Sequence, residues 1–170
     1  MAEAGRGSIV NVSSIYGMLS PVQELYDFRR RGGEAFFKPV AYSVSKSALY
    51  NLTRYLATYW ARSGVRVNTL TLAGVWNDQP TEFVDAYTER MPLGRMANVE
   101  EVVGPIVFLA SDASSYVTGA NLVADGGLPP YELDRIVGMR LRRSLRPDDN
   151  VELADLEAVS AAAEVHAQRA

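Results

Sequence analysis

Apolar positions recur along this chain at two spacings, and their alternation predicts layers of strand and helix. Ser8-Ile-Val-Asn-Val12 clusters β-branched residues between Gly7 and the Ser13-Ser14 pair, which predicts a short buried strand over 8–12. Residues 15–40 carry Gly17, Pro21, Gly32, Gly33 and Pro39 around a charged centre, and read as a long irregular connection containing a helical turn. Over 41–62, Val44, Ala48, Leu49, Leu52, Tyr55, Leu56, Tyr59 and Trp60 fall at helical spacing, with Gly64 as the stop. Val65 to Leu72 alternates as a second strand, and residues 79–90 and 99–111 read as helices, the latter with Asn98 as N-cap and Glu100-Glu101 in its first turn. Asn121 to Ala124 makes a third strand.

Strand, helix, strand, helix, helix, strand is the order of an α/β domain with a mostly parallel sheet. That domain is expected over 1–130. Beyond Pro129-Pro130 the pattern weakens: 140–150 reads as a linker, and Leu153, Leu156, Val159 and Ala163 predict an amphipathic helix over 151–168, giving a linker and helical tail over 131–170.

Composition narrows the function classes. The net charge of -3 gives no reason to expect nucleic acid, and the clusters Arg29-Arg30-Arg31 and Arg140 to Arg146 read as solvated surface. There is no cysteine, and the single histidine, His166, stands in a polar alanine-rich tail, so neither a metal site nor a thiol nucleophile is expected. No apolar run approaches the roughly 18 residues of a membrane span, which makes the cytoplasm the default location.

The chemistry is concentrated in a few positions. Tyr42 and Lys46 stand four apart at the start of the strongest helix and project from one face. Tyr-x-x-x-Lys alone is common by chance, but here it follows Asn11-Val12-Ser13-Ser14 at a strand end, where open α/β sheets form ligand sites. It precedes Arg66-Val67-Asn68, Pro92-Leu93-Gly94-Arg95, Phe108-Leu109-Ala110-Ser111-Asp112, Tyr116-Val117-Thr118-Gly119 and Asp125-Gly126-Gly127.

In that order, the series resembles the short-chain dehydrogenase/reductase family over about residues 5–128. The resemblance implies an NAD- or NADP-dependent oxidoreductase that interconverts a secondary alcohol and a ketone. Tyr42 would be the general acid/base and a cofactor contact, Lys46 its partner and a ribose contact, and Ser14 the hydroxyl on the substrate oxygen. An ammonium beside a phenol favours the phenolate, so Lys46 is of the right type for that place. By position, Val75 and Asn77 would flank the nicotinamide carboxamide. The resemblance also implies a homo-oligomer joined through the Tyr42 helix.

Three departures shape the expectation. The family's Gly-rich turn, ribose-binding acid and helix asparagine belong upstream of Ser8, where seven residues stand, so a partial Rossmann-like, doubly wound sheet lacking its N-terminal half is expected. Such a chain would be inactive in isolation; the alternatives are a catalytically silent remnant or a helix-mediated interaction module. Leu72-Ala73 replaces the family's usual Pro-Gly before the nicotinamide loop. The separation of Ser14 from Tyr42 exceeds the family's usual one, so residues around Gln23 to Lys38 read as an insertion beside the active site. That longer connection, with Ser-Ser-Ile-Tyr-Gly before it and Asn77-Asp78-Gln79-Pro80 later, is similar to members associated with surface-polysaccharide and flagellin-glycan pathways, which implies a sugar or sugar nucleotide as the carbonyl or alcohol substrate.

Overall fold

The structure, a computed structural model, describes residues 1–126 together with 139–141 and 156–158. Three parallel strands form the centre, in the order β1 (Gly7–Ser14), β2 (Val65–Leu72), β3 (Asn121–Ala124). β1 extends past the expected 8–12 at both ends, because Gly7 to Ser14 all find register partners from Val65 to Leu72. Since Leu72 also pairs with Ala124, the strands end level at Ser14, Leu72 and Ala124.

Helices cover both faces, as the alternation of β2 requires. Val65 and Val67 pack with Ala57 of α2 (Val40–Trp60), and Ile9, Leu56 and Trp60 close around them. Thr69 and Thr71 continue on that face as polar contacts: Thr69 shares a hydrogen bond with Thr53 at 2.7 Å and Thr71 with Tyr50 at 3.0 Å. The opposite face carries Arg66 and Asn68. Arg66 donates to the carbonyls of Leu109 and Ser111, both at 3.0 Å, fastening β2 to the end of α4 (Val99–Ala110). Asn68, fully buried, donates to the Val117 carbonyl and accepts from the Ala120 N–H, which fixes the entry into β3. The sequence-level motifs around 66–68 and 116–119 are thus structural stitching.

α2 ends in a 3₁₀ turn, Ala61–Ser63, and Gly64 with φ 69° makes the left-handed reversal into β2. The connection 15–40 is more ordered than its composition predicts. It holds 3₁₀ turns at Ile15–Gly17 and Gln23–Tyr26 and a short helix, α1 (Asp27–Arg31). Leu25 and Tyr26 are buried against Tyr87 and Met96, with Phe36 and Phe83 packed around them, so the insertion is pinned to α3 (Thr81–Thr88) by an apolar cluster of its own. Its arginines serve the same segment: Arg29 pairs with Glu34 and lies 3.8 Å over the Phe36 ring, and Arg30 pairs with Asp27 and donates to the carbonyls of Gln23 and Phe36.

The chain divides into Met1–Gly127 and Leu128–Ala170. In the second unit, β4 (Met139–Leu141) and β5 (Leu156–Ala158) pair antiparallel, with Arg140 opposite Glu157. Arg140 and Leu141 are therefore in a strand where a linker was expected, and Leu156–Ala158 is extended where helix was expected. Both triplets read apolar, charged, apolar, a period of two that pairing can use and that three residues cannot distinguish from a helical spacing. The rest of the expected linker and helix lies outside the described residues. No described helix is long and apolar enough to cross a membrane.

Candidate active site

Ser13 and Ser14 are adjacent at the end of β1 and point opposite ways. The Ser13 hydroxyl donates to the Lys46 carbonyl at 2.9 Å and so ties the strand to α2. Ser14 Oγ accepts from the Tyr16 N–H at 3.2 Å, which caps the 3₁₀ turn and leaves the hydroxyl proton available to another acceptor. Beneath it, the Tyr50 hydroxyl meets the Ser14 carbonyl at 3.2 Å. Of the two serines, Ser14 alone opens on the cavity that also contains Tyr42.

Tyr42 lies in the first turn of α2, and Lys46 one turn later reaches back so that its ammonium is 5.8 Å from the Tyr42 ring centroid and donates to the Val12 carbonyl at 3.0 Å. An ammonium has three N–H donors, and this accounts for one of them. The cavity, of about 220 Å³, is also lined by Tyr16, Tyr26, Lys38, Gln79 and Tyr87. Burial pushes the Tyr16 phenol well above its ordinary range, with the neighbouring Tyr26 adding to the effect, and burial raises Tyr26 and Tyr87 in the same direction. Those three phenols therefore stay protonated across neutral pH.

Val75 lines the neighbouring, more apolar cavity between residues 72–75 and 124–126, and forms a bridge with Ala97. Asn77 is exposed and is not among the lining residues of either cavity; its N–H donates to Gln79 Oε1 at 2.7 Å, and Gln79 Nε2 returns a bond to the Val75 carbonyl at 2.8 Å. The structure thus brings Ser14, Tyr42 and Lys46 to one end of the sheet, with Val75 beside them and Asn77 further out. Lys38, Tyr26 and Tyr87 are site residues that sequence reasoning missed. For Tyr26 the signal was the density of aromatics over this stretch, Tyr26, Phe28, Phe36 and Phe37, which exceeds what a solvated loop uses, whereas Lys38 and Tyr87 carry no such local signal.

The family model described as enoyl-(acyl carrier protein) reductase matches residues 30–129. A solved short-chain dehydrogenase from Leptospira borgpetersenii with bound NAD+ superposes with a TM-score of 0.66 at 36% identity, over 75% of this chain and 47% of that one. The chain belongs to the short-chain dehydrogenase/reductase family. Among curated relatives of this dehydrogenase/reductase chain, cis-4-hydroxycyclohexanecarboxylate dehydrogenase of Sinomonas cyclohexanicum is 40% identical over 75% of this chain and 47% of its own length. The post-translational flagellin modification protein A of Campylobacter coli is 35% identical, over 71% and 44%. The chain spans about half the length of the curated relatives it matches.

The residues present fit the nicotinamide end of a dinucleotide. Lys46 uses one of its three N–H donors on the Val12 carbonyl, which leaves donors of the type that sugar hydroxyls accept, and the strand ends at Ser14, Leu72 and Ala124 form the kind of carboxyl-end crevice in which open α/β sheets take such ligands.

Proposed function

We propose that this chain supplies the proton-transfer side of an NAD(P)-dependent oxidoreductase that interconverts a secondary alcohol and a ketone. The observation that carries the reading is the shared cavity of Ser14 and Tyr42, in which the Ser14 hydroxyl proton has no acceptor among the described residues while Ser13 is committed to the fold. A bound nicotinamide supplies or accepts the hydride. In the reducing direction Tyr42 donates its phenolic proton to the carbonyl oxygen, and Ser14 donates a hydrogen bond to the same oxygen as negative charge develops there. Lys46 holds its positive charge beside Tyr42 and directs its remaining donors to the ribose, while Val75 and Asn77 flank the carboxamide. The substrate is a small alcohol or ketone. Gln79 and the neutral phenols of Tyr16, Tyr26 and Tyr87 suit the hydroxyls of a sugar-like molecule. The exposed apolar residues Val44, Leu52, Tyr55 and Tyr59 of α2 support a homo-oligomer joined through that helix, and a cytoplasmic location belongs to the same reading.

The test fuses the dinucleotide-binding half of a relative ahead of Ser8 and measures hydride transfer and cofactor affinity together. Tyr42→Phe is expected to remove nearly all turnover with cofactor affinity almost unchanged, because only the phenolic proton is lost. Lys46→Ala is expected to weaken both. Turnover that survives Tyr42→Phe would place the proton donor elsewhere; a fusion that binds cofactor and transfers no hydride to any alcohol or ketone would mark the site as a silent remnant.

A further inference from the structure

Among the described residues, Lys38 is the single charged side chain lining the cavity that holds Ser14 and Tyr42, and no carboxylate lines it. Its ammonium lies 4.4 Å from the centroid of the Tyr42 ring and 6.0 Å from that of Tyr16. Among the described residues it has no ion-pair partner. The backbone of Lys38 is held in place from both sides by Gln23: the Lys38 N–H donates to Gln23 Oε1 at 2.9 Å, and the Lys38 carbonyl accepts from Gln23 Nε2 at 3.4 Å. Two residues later α2 begins, with no acid in its first turn and no side-chain cap, so the positive end of a 21-residue helix adds to the lysine charge. The result is a partly buried positive region without a counter-ion, directly over the ring of the proposed acid/base.

Contact with two ring faces satisfies an ammonium less well than a hydrogen bond to an anion does. Neutral phenols and the Gln79 amide supply further donors around it, whereas no arginine fork of the kind suited to a phosphate lines the cavity. We propose that Lys38 recognises a carboxylate of the substrate, so that the site acts on hydroxy acids and oxo acids, sugar acids among them. The proposal rests on the reading of Ser14, Tyr42 and Lys46 as the reacting groups, since it places the acid function a few bonds from the oxygen that Tyr42 protonates.

The experiment titrates the full chain with 3-hydroxybutyrate and a hydroxycyclohexanecarboxylate, each beside its uncharged amide, and with a phosphate monoester of similar size. The acids are expected to bind about tenfold more tightly than their amides to the native chain and to Lys38→Arg, and Lys38→Gln is expected to erase the difference. As a measurement that needs no variant, acid affinity should fall with added salt while amide affinity stays constant. Equal affinity for acid and amide, a preference that survives Lys38→Gln, tighter binding of the phosphate monoester, or failure of the native chain to bind any acid would each overturn it. Hydride transfer is read separately on the fused enzyme. Acid preference in binding without hydride transfer sinks the catalytic reading alone, whereas turnover of neutral alcohols with the same kcat/KM as acids sinks the Lys38 assignment alone.

Discussion

The backbone N–H of Gly74 donates to the hydroxyl of Tyr87 at 2.6 Å, and the ring of Tyr87 lies so close over Gly74 that a β-carbon there would sit 2.8 Å from its carbons. This contact sets the path of the chain as it leaves β2 toward Val75. Tyr87 is buried, and burial keeps its phenol protonated, so it remains a neutral acceptor.

Both sides of that contact can be tested. Tyr87→Phe leaves the Gly74 N–H without its acceptor and should cost about 1–3 kcal/mol. Gly74→Ala forces the ring or the loop to move and should cost a similar ~1–3 kcal/mol. Urea denaturation of the two variants measures this directly. If both denature at the native midpoint, the loop is held by something other than Tyr87.

Asn68 makes two buried hydrogen bonds, to the Val117 carbonyl at 2.9 Å and from the Ala120 N–H at 3.0 Å, with no accessible surface. Asn68→Ala leaves a carbonyl and an amide without these partners and should destabilise by about 2–4 kcal/mol, with faster hydrogen exchange at Ala120. Asn68→Asp keeps the acceptor for Ala120 but sets a carboxylate against the Val117 carbonyl, and should be worse. A change in the Asn68→Ala unfolding free energy below about 0.5 kcal/mol would show that the turn into β3 is held by other contacts.

The parts of the fold that were legible are those whose own sequence supplies the period. α2 has 21 residues of helical spacing, β2 sets a β-branched residue at every second position from Val65 to Thr71, and Asn98 with the acids after it marks the start of α4. Ser14 was named through the family resemblance alone, and the structure sets it in one cavity with Tyr42 while Ser13, facing the other way, is bonded to the Lys46 carbonyl. The insertion was not legible, because Tyr26 and Phe36 are ordered by Phe83 and Tyr87, far along the chain, and no local pattern encodes that meeting. Lys38 was hidden for the same reason: next to Pro39 it reads as a loop lysine, and only the folded chain sets it over Tyr42. At Leu156–Ala158, three residues were too few to choose between periods.

At the start of α4, the Glu101 carboxylate accepts two hydrogen bonds from Arg95, at 2.6 and 2.7 Å, and one from the Asn98 N–H at 2.8 Å. The Arg95 bonds first, then the Asn98 amide, hold its pKa down from the ordinary 4.5 to about 2. A carboxyl whose pKa is lower when folded than when unfolded stabilises the fold fully above the unfolded value, and this contribution is lost as pH falls from about 4.5 toward about 2. Glu101→Gln removes it at neutral pH. The native chain should therefore be more stable than Glu101→Gln near neutrality, and the two urea midpoints should converge as pH is lowered through that window. Because the pair is exposed, added salt should narrow the gap as well. An NMR titration of the Glu101 side chain gives the same answer independently: a midpoint at the ordinary carboxylate value would mean that Arg95 and the Asn98 amide do not hold it in solution.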